Sequence, residues 1–116
     1  MKTEVVYFDN IDTEVTYLIG KNSADNFKVI DMSNQNDIWF HSKDESSCHV
    51  VAKITEDFTK KELLTIYKRG ALLCKENTFK LKSLSNVPII YTEIKNIEKT
   101  NQVGAVLTKN TKTILV

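Results

Sequence analysis

Two short runs of strand-forming residues near the middle of the chain constrain its fold more than any other feature. The runs 37–41 and 49–54 are rich in aromatic and β-branched residues, and a polar loop of seven residues, 42–48, separates them. Runs of this length and composition are typical of β-strands. Each run carries one of the only two histidines of the chain, His41 and His49. The pattern predicts two central strands, each presenting an imidazole.

Alternation along these strands predicts which side chains share a face. Successive side chains of a strand point to opposite faces of the sheet. Ile38 and Phe40 therefore share an apolar face, while Trp39 and His41 share the other. In the second run, His49 likewise lies opposite the apolar face. If the apolar faces pack into one core, the only tryptophan and both histidines form a flat surface outside it.

Two helices are predicted from capping signals. The clearer one begins with a capping box at residues 59–62 and continues to about Lys75. Ser23 is the predicted N-cap of a shorter helix that ends near Asp31. Gly70 weakens the longer helix intrinsically, so we expect it to permit a close approach to a strand.

The remaining runs predict an antiparallel sheet. Further strands are expected at 4–8, 14–19, 87–94, 103–108 and 111–116. The first two form a hairpin, and the turn at Lys109-Asn110 predicts a tight hairpin between the last two. Because helices do not alternate with strands, a doubly wound parallel sheet is disfavoured. We predict an α+β fold over residues 1–116 as a single domain: a curved, mostly antiparallel sheet packed by one main helix and one short helix.

Composition is that of an ordinary globular domain. A chain of 116 residues with 41% hydrophobic and 27% charged residues can bury a core. Cys48 and Cys74 are too few for a disulfide framework, so we expect buried thiols. No apolar run approaches the roughly 18 residues that cross a bilayer, and the first residues alternate instead of forming an apolar signal core. We therefore expect a cytoplasmic protein.

The charges are unevenly distributed along the chain. The net charge is only +1. Residues 1–57 carry five Lys and eleven Asp or Glu, whereas residues 58–116 carry eleven Lys or Arg and four Glu. This asymmetry indicates a basic face on a nearly neutral domain, although an uneven solvated surface is an equal alternative.

The two central runs also carry a resemblance to a known family. Asp37-Ile38-Trp39-Phe40-His41, followed by Ser46-Ser47-Cys48-His49-Val50, resembles the paired motif of the NFACT-R domain, the RNA-binding module of ribosome-associated quality-control proteins. The double serine is most similar to the small, coiled-coil domain-containing type within this family. Weaker matches follow in the family's order along essentially the whole chain, at Gly20-Lys21-Asn22, Asn26, Cys74-Lys75-Glu76-Asn77-Thr78, Tyr91-Thr92 and Gly104.

The resemblance implies a function and a set of contacts. It implies a non-catalytic module that binds RNA such as tRNA or rRNA, in translation or ribosome-associated quality control, with the ribosome as a further partner. Lysines can neutralise phosphates, and an exposed aromatic ring beside imidazoles can stack unpaired bases. The residues predicted to contact nucleic acid are Lys21, Asn22, Trp39, His41, Ser47, His49, Lys75, Lys95 and Lys99.

Two further binding functions stay open at this point. Phosphate contacts are alike in RNA and DNA, so DNA is an alternative ligand. The sheet face can also be read as a protein-binding surface of an adaptor. Glu98 stands where the family usually has one lysine of a basic pair, which weakens the expected nucleic-acid contact there and strengthens the adaptor alternative.

The histidines allow two other interpretations. His41 and His49 could form the acid–base pair of a phosphodiesterase, but no catalytic motif accompanies them. A zinc site would need Cys48 or Asp37 as a further ligand, and Cys48 should point away from His49. We therefore predict no enzyme, metal or cofactor. In the structural alternative, each imidazole bonds a neighbouring strand or Asp37, and Trp39 is a core residue.

Overall fold

Eight strands and two α-helices make up the computed structural model, which describes all 116 residues. The strands are β1 (Lys2–Phe8), β2 (Thr13–Ile19), β3 (Ile38–Ser42), β4 (Val50–Ala52), β5 (Pro88–Glu93), β6 (Ile97–Lys99), β7 (Val106–Thr108) and β8 (Lys112–Leu115). The helices are α1 (Ser23–Asp31) and α2 (Lys60–Glu76). Neither helix is both long enough and apolar enough to cross a membrane.

The two predicted central strands are neighbours in the middle of a six-stranded sheet. The strand order is β1-β2-β4-β3-β5-β8, and β6 pairs with β7 in a separate two-stranded ribbon. Phe40 pairs with Val50, and Trp39 pairs with Val51. Every strand pair is antiparallel. The predicted α+β class, with one main helix and one short helix, is confirmed.

Helix α2 packs on one face of the sheet and closes the larger core. The predicted capping box is present: the Thr59 hydroxyl accepts from the Glu62 N–H at 3.2 Å, and the Glu62 carboxylate accepts from the Thr59 N–H at 2.8 Å. Phe40 and Ile66 are fully buried between helix and sheet. A Cβ at Gly70 would lie 2.2 Å from Cζ of Phe40. Only glycine allows this approach, as predicted.

The opposite face of the sheet is also buried. Val29 of α1 packs with Trp39, Val51 and Ile94 in a second core cluster, and the β6–β7 ribbon packs against the same cluster. Trp39 is 1% exposed and His49 is 2% exposed. The predicted flat, exposed surface is therefore wrong for these two side chains. Alternation assigned them to the right face, but α1 and the ribbon cover it.

The C-terminal strands pair differently from the prediction. The turn at Lys109-Asn110 forms, with Asn110 at a φ of 55°, but the strands on either side of it do not pair with each other. Strand β7 pairs with β6, in a stretch with no predicted strand, and β8 pairs with β5 over four residues. The Thr92 hydroxyl of β5 lies 3.2 and 3.1 Å from the carbonyl oxygens of Lys109 and Asn110. The predicted hairpin between the last two strands is therefore wrong, because β8 pairs with the free edge of β5 instead of with β7.

The two cysteines join the end of α2 to the start of β4. Both are buried free thiols, as predicted. The Cys48 thiol donates to the Cys74 carbonyl oxygen at 3.4 Å, and the Cys74 thiol donates to the Cys48 carbonyl oxygen at 3.5 Å. Cys48 therefore points to α2 and away from the histidines.

Substituting alanine at Gly70 tests the contact between α2 and the sheet. At an exposed helix position this change stabilises by about 1 kcal/mol. Here we expect Gly70→Ala to lower the free energy of unfolding by about 1–3 kcal/mol, because the new methyl group overlaps the Phe40 ring. Urea unfolding followed by circular dichroism measures the change. Lys68→Ala, at an exposed position of the same helix, is the control and should change it by less than about 0.5 kcal/mol. A stabilised Gly70→Ala protein would contradict the packing.

Candidate nucleic-acid interface

A groove of about 990 Å³ opens on the α1 side of the sheet. Its walls are the 42–48 loop, the start of α1, the turn after α2 and the segment before β7. Four separate parts of the chain therefore meet at one surface. Six of the nine sequence-predicted contacts line it: Lys21, Asn22, Trp39, His41, Ser47 and His49.

A buried hydrogen bond fixes the floor of the groove. The Nε1–H of Trp39 donates to Nδ1 of His49 at 3.1 Å. An indole nitrogen only donates, so Nδ1 of His49 is unprotonated and the ring proton lies on Nε2. Burial, with a smaller contribution from the neighbouring His41, lowers the pKa of His49 to about 3. His49 is therefore neutral at physiological pH and held in one tautomer.

His41 completes a cluster of three rings. Its ring stacks parallel to Trp39 with centroids 5.6 Å apart, and it meets the His49 ring edge-on at 5.0 Å. Nδ1 of His41 lies 2.6 Å from the Ser42 carbonyl oxygen, so Nδ1–H donates and Nε2 is the acceptor of the neutral ring. Burial lowers the pKa of His41, and the bond to Ser42 opposes this shift. Both imidazoles of the groove are thus neutral groups at neutral pH.

Gly20 and Asn26 attach the start of α1 to the residue that forms the floor. The side-chain oxygen of Asn26 accepts from the backbone N–H of His49 at 3.2 Å, and the Gly20 N–H donates to the His49 carbonyl oxygen at 2.8 Å. A Cβ at Gly20 would lie 2.5 Å from the Asn26 side-chain oxygen. Glycine is therefore needed in the Gly-Lys-Asn turn for this close approach.

Asn22 has a structural partner as well as a place on the groove. Its side-chain oxygen accepts from the Asp25 N–H at 2.9 Å, which makes Asn22 the N-cap of α1. The predicted cap at Ser23 is wrong by one residue. Lys21, beside the cap, is exposed and its ammonium forms no ion pair. The turn therefore places one free cation on the rim of the groove.

Ser47 orders the loop between the two central strands. Its hydroxyl accepts from the Ser42 N–H at 3.0 Å and donates to the Cys48 carbonyl oxygen at 3.0 Å. The same oxygen lies 3.6 Å from Sγ of Cys74. Ser47 is half-buried and holds the loop wall of the groove in place.

The structure does not bring the other three predicted lysines into the groove. Lys75 is half-buried in the last turn of α2. The ammonium of Lys95 lies 3.6 Å from the Glu93 carboxylate, and that of Lys99 pairs with Asp31 of α1. Their contact with nucleic acid stays a prediction. For Lys95 and Lys99, contact with nucleic acid requires a phosphate to replace the carboxylate partner, Glu93 or Asp31.

Asp37 of the sequence motif binds neither histidine. Its buried carboxylate accepts from the backbone N–H groups of Asn34 and Ile54 at 2.7 and 2.8 Å, and it pairs with Lys53 at 2.6 Å. These bonds tie the loop before β3 to the end of β4. Of the two structural roles considered for the histidines, the bond to a neighbouring strand is present at His49, and the bond to Asp37 is absent.

Sequence reasoning missed three residues on the rim of the groove. Lys43 lies in the loop between the central strands, and Phe79 and Lys80 lie in the turn after α2. The ammonium of Lys80 is 3.1 Å from the Glu45 carboxylate. The 76–84 segment has no helix or strand periodicity, so its position relative to the groove could not be predicted from the sequence. The one feature that could have drawn attention to it is an aromatic residue between lysines in a polar stretch.

The surroundings of the histidine pair include no cluster of metal ligands, and both imidazoles are neutral. No group of three or more His, Cys, Asp or Glu side chains is placed to hold a metal ion. An acid–base pair needs one protonated partner, but the pKa of His41 and the pKa of His49 are both lowered. At neutral pH neither ring is a charged imidazolium, so neither can act as the general acid. The arrangement suits hydrogen bonding more than proton transfer.

His49 makes folding stability depend on pH in a defined window. A histidine in the unfolded chain titrates near pH 6.5, whereas the pKa of His49 in the folded chain is about 3. Between these values the unfolded chain binds a proton that the folded chain does not, so stability falls as the pH falls. For this group alone, we expect the free energy of unfolding to drop by about 2 kcal/mol between roughly pH 7 and pH 5. Urea unfolding at each pH measures it.

The variant His49→Gln isolates this effect, because it removes the titrating group and keeps a polar side chain. We expect the difference in unfolding free energy between the two pH values to shrink markedly. His41→Gln is the matched control, and it should keep most of the pH dependence because His49 is untouched. An unchanged pH dependence in His49→Gln would contradict a buried, neutral imidazole.

Sequence comparison assigns the chain to a family along almost its whole length. The model of the family described as NFACT protein RNA binding domain matches residues 4–114. The coiled-coil domain-containing protein 25 homolog of Dictyostelium discoideum is 30% identical over 113 residues, covering 95% of this chain and 55% of that protein. The Rqc2 homolog RqcH of Bacillus subtilis (strain 168) is 32% identical over 88 residues, covering 75% of this chain and 14% of that protein.

Structural comparison finds the same fold in a larger protein. The C-terminal part of the fibronectin/fibrinogen-binding protein from Streptococcus suis matches with a TM-score of 0.79 and 26% identity, over 100% of this chain and 45% of that chain. This chain thus spans about half the length of the coiled-coil relative and a small part of RqcH. The motif in the two central strands and the match over residues 4–114 agree, and the chain belongs to the NFACT-R family of RNA-binding domains.

Proposed function

We propose that this domain binds RNA with tertiary or secondary structure, such as tRNA or rRNA, in its groove and catalyses no reaction. The observation that carries the proposal is the groove, which gathers cationic, polar and aromatic side chains from four parts of the chain above two neutral imidazoles. Membership in a family of RNA-binding domains supports it. The neutral state of both rings argues against the phosphodiesterase alternative.

Lysines on the rim supply affinity in this proposal. Lys21 and Lys43 are exposed and form no ion pair, so both can neutralise phosphates and release counterions. Lys75, Lys95 and Lys99 extend the contact to backbone phosphates outside the groove. Lys95 and Lys99 exchange their carboxylate partners for phosphates when they do so.

The histidines supply recognition as neutral groups. His49, with Nδ1 bonded to Trp39, has its Nε2–H as the unused donor. His41, with Nδ1 bonded to Ser42, has Nε2 as the unused acceptor. A donor and an acceptor side by side can bond a base edge or a ribose 2′-hydroxyl, which both donates and accepts. Trp39 is buried, so it positions the two imidazoles and does not itself stack on a base.

The cellular role proposed is ribosome-associated quality control, with the ribosome as a partner. The similarity to a protein named Rqc2 homolog supports this role, and the aligned region covers 14% of that protein. Binding to DNA, or to a protein on the ribosome, is the competing outcome of the experiment below.

Replacing Lys21 by alanine tests the phosphate contact. We expect Lys21→Ala to bind tRNA more weakly and to lower the slope of log K against log salt by about 0.7 to 0.9, because one counterion-releasing contact is lost. Fluorescence anisotropy across roughly 50 to 200 mM salt measures both. Lys60→Ala removes the same charge at the other end of the 17-residue α2, about 25 Å from the groove, and should leave both unchanged.

The ligand ranking tests the rest of the proposal. The unmodified domain is titrated with tRNA, single-stranded RNA and duplex DNA at the same salt concentrations. We expect tRNA to bind most tightly, and we expect His41→Ala to reduce the preference for RNA over DNA without changing the salt slope. No binding to any of the three at low salt would refute the proposal and leave the protein-binding adaptor. Tighter binding of duplex DNA would favour the DNA alternative.

A further inference from the structure

Phe79 is the most exposed large apolar side chain of the protein, and the turn that carries it is firmly anchored. Phe79 is 84% exposed. On one side, the Thr78 hydroxyl donates to the Cys74 carbonyl oxygen at 2.8 Å and accepts from the Cys48 N–H at 3.2 Å. On the other side, Leu81 is 3% exposed within the main core. The aromatic ring is therefore exposed to solvent, while the backbone on both sides of it is anchored to the fold.

The place is the mouth of the groove. Phe79 lines the main groove and also a smaller neighbouring recess. Lys21 lines both as well. The ammonium of Lys82 lies 4.8 Å from the centre of the Phe79 ring, over one of its faces. One exposed ring is thus flanked by the free lysine of the rim and by a second lysine that contacts it directly.

The surroundings of Phe79 fit a nucleobase better than an apolar protein anchor. The smaller recess is lined by Lys21, Glu76, Asn77, Phe79 and Lys82, and Phe79 is its one apolar member. The centre of a protein–protein interface is depleted of charged residues. Single-stranded nucleic acid, in contrast, is bound by aromatic side chains that stack on bases, with cations alongside that follow the backbone. The charge around Phe79 therefore points to a base and its flanking phosphates.

We propose that Phe79 is a stacking platform for an unpaired base at the mouth of the groove, with Lys82 and Lys21 holding the adjacent phosphates. This inference rests on the proposed nucleic-acid binding and adds to it a preference for unpaired nucleotides in a loop or single strand. A fully paired duplex has no free base face to offer, so it contacts the lysines only. Phe79 thus favours ligands with unpaired bases over a duplex, although the rim lysines alone would bind both equally.

Fluorescence gives a direct readout of stacking. Trp39 is the only tryptophan, and it is buried with its N–H bonded to His49. Phe79→Trp adds an exposed indole at the proposed platform, and the unmodified protein supplies the Trp39 background. We expect a mixed-sequence single-stranded RNA to quench the added emission in a saturable way. A fully paired RNA duplex of the same length should leave it nearly unchanged while still binding.

Affinity measurements complete the test. We expect Phe79→Ala to bind the single strand about tenfold more weakly and the duplex less than about twofold more weakly. Leu64→Ala, at an exposed apolar position on α2 across the sheet, is the control and should match the unmodified protein with both ligands. Equal affinities of Phe79→Ala and the unmodified protein for both ligands, with unquenched Phe79→Trp emission, would overturn the platform and leave the proposed function intact. Absence of binding by the unmodified protein would overturn both.

Discussion

The hydrogen bond from Trp39 to His49 links the fold to the chemistry of the groove. Phe40 pairs with Val50 in the central hairpin, which puts His41 and His49 opposite each other one position further along. The indole lies diagonal to His49 and reaches it across the hairpin. The bond satisfies a buried donor that would otherwise be costly to desolvate, and it holds the imidazole in its neutral form. The register of β3 and β4 therefore decides which nitrogen of His49 is bonded within the protein and which is left free in the groove.

Alternation makes this hairpin serve two cores at once. Phe40 fills the space above Gly70 on the α2 side, while Trp39 packs beneath α1 on the groove side. A slip of one residue would exchange the two faces of a strand and turn each ring to the wrong helix. The Phe40 ring fits against α2 because residue 70 has no Cβ. The fit of Phe40 over Gly70 therefore favours the register on which the imidazole pair depends.

Local patterns predicted most elements but not the surfaces that those elements cover. The capping box at the start of α2 and the alternation of the central strands act over a few residues, so the sequence displays them. Alternation shows which side chains share a face, but it does not show whether another element covers that face. It therefore left both a surface position and a core position open for Trp39. Helix α1 gives little warning, since Val29 is its one buried apolar residue. The partners of β7 and β8 depend on distant segments, and the turn at 109–110 is compatible with either pairing.

The distribution of charge separates affinity from recognition. Glu98 lies on the β6–β7 ribbon opposite Leu107, and the adjacent Lys99 already pairs with Asp31. The ribbon therefore adds little net positive charge. The groove lysines that form no ion pair, Lys21 and Lys43, lie instead on the rim of the groove. In the proposed function, phosphates bind at that rim, above imidazoles that carry no charge. Added salt screens the lysines and leaves hydrogen bonds to neutral rings nearly unaffected. Rising ionic strength should then weaken binding to all nucleic acids more than it erodes the choice among them.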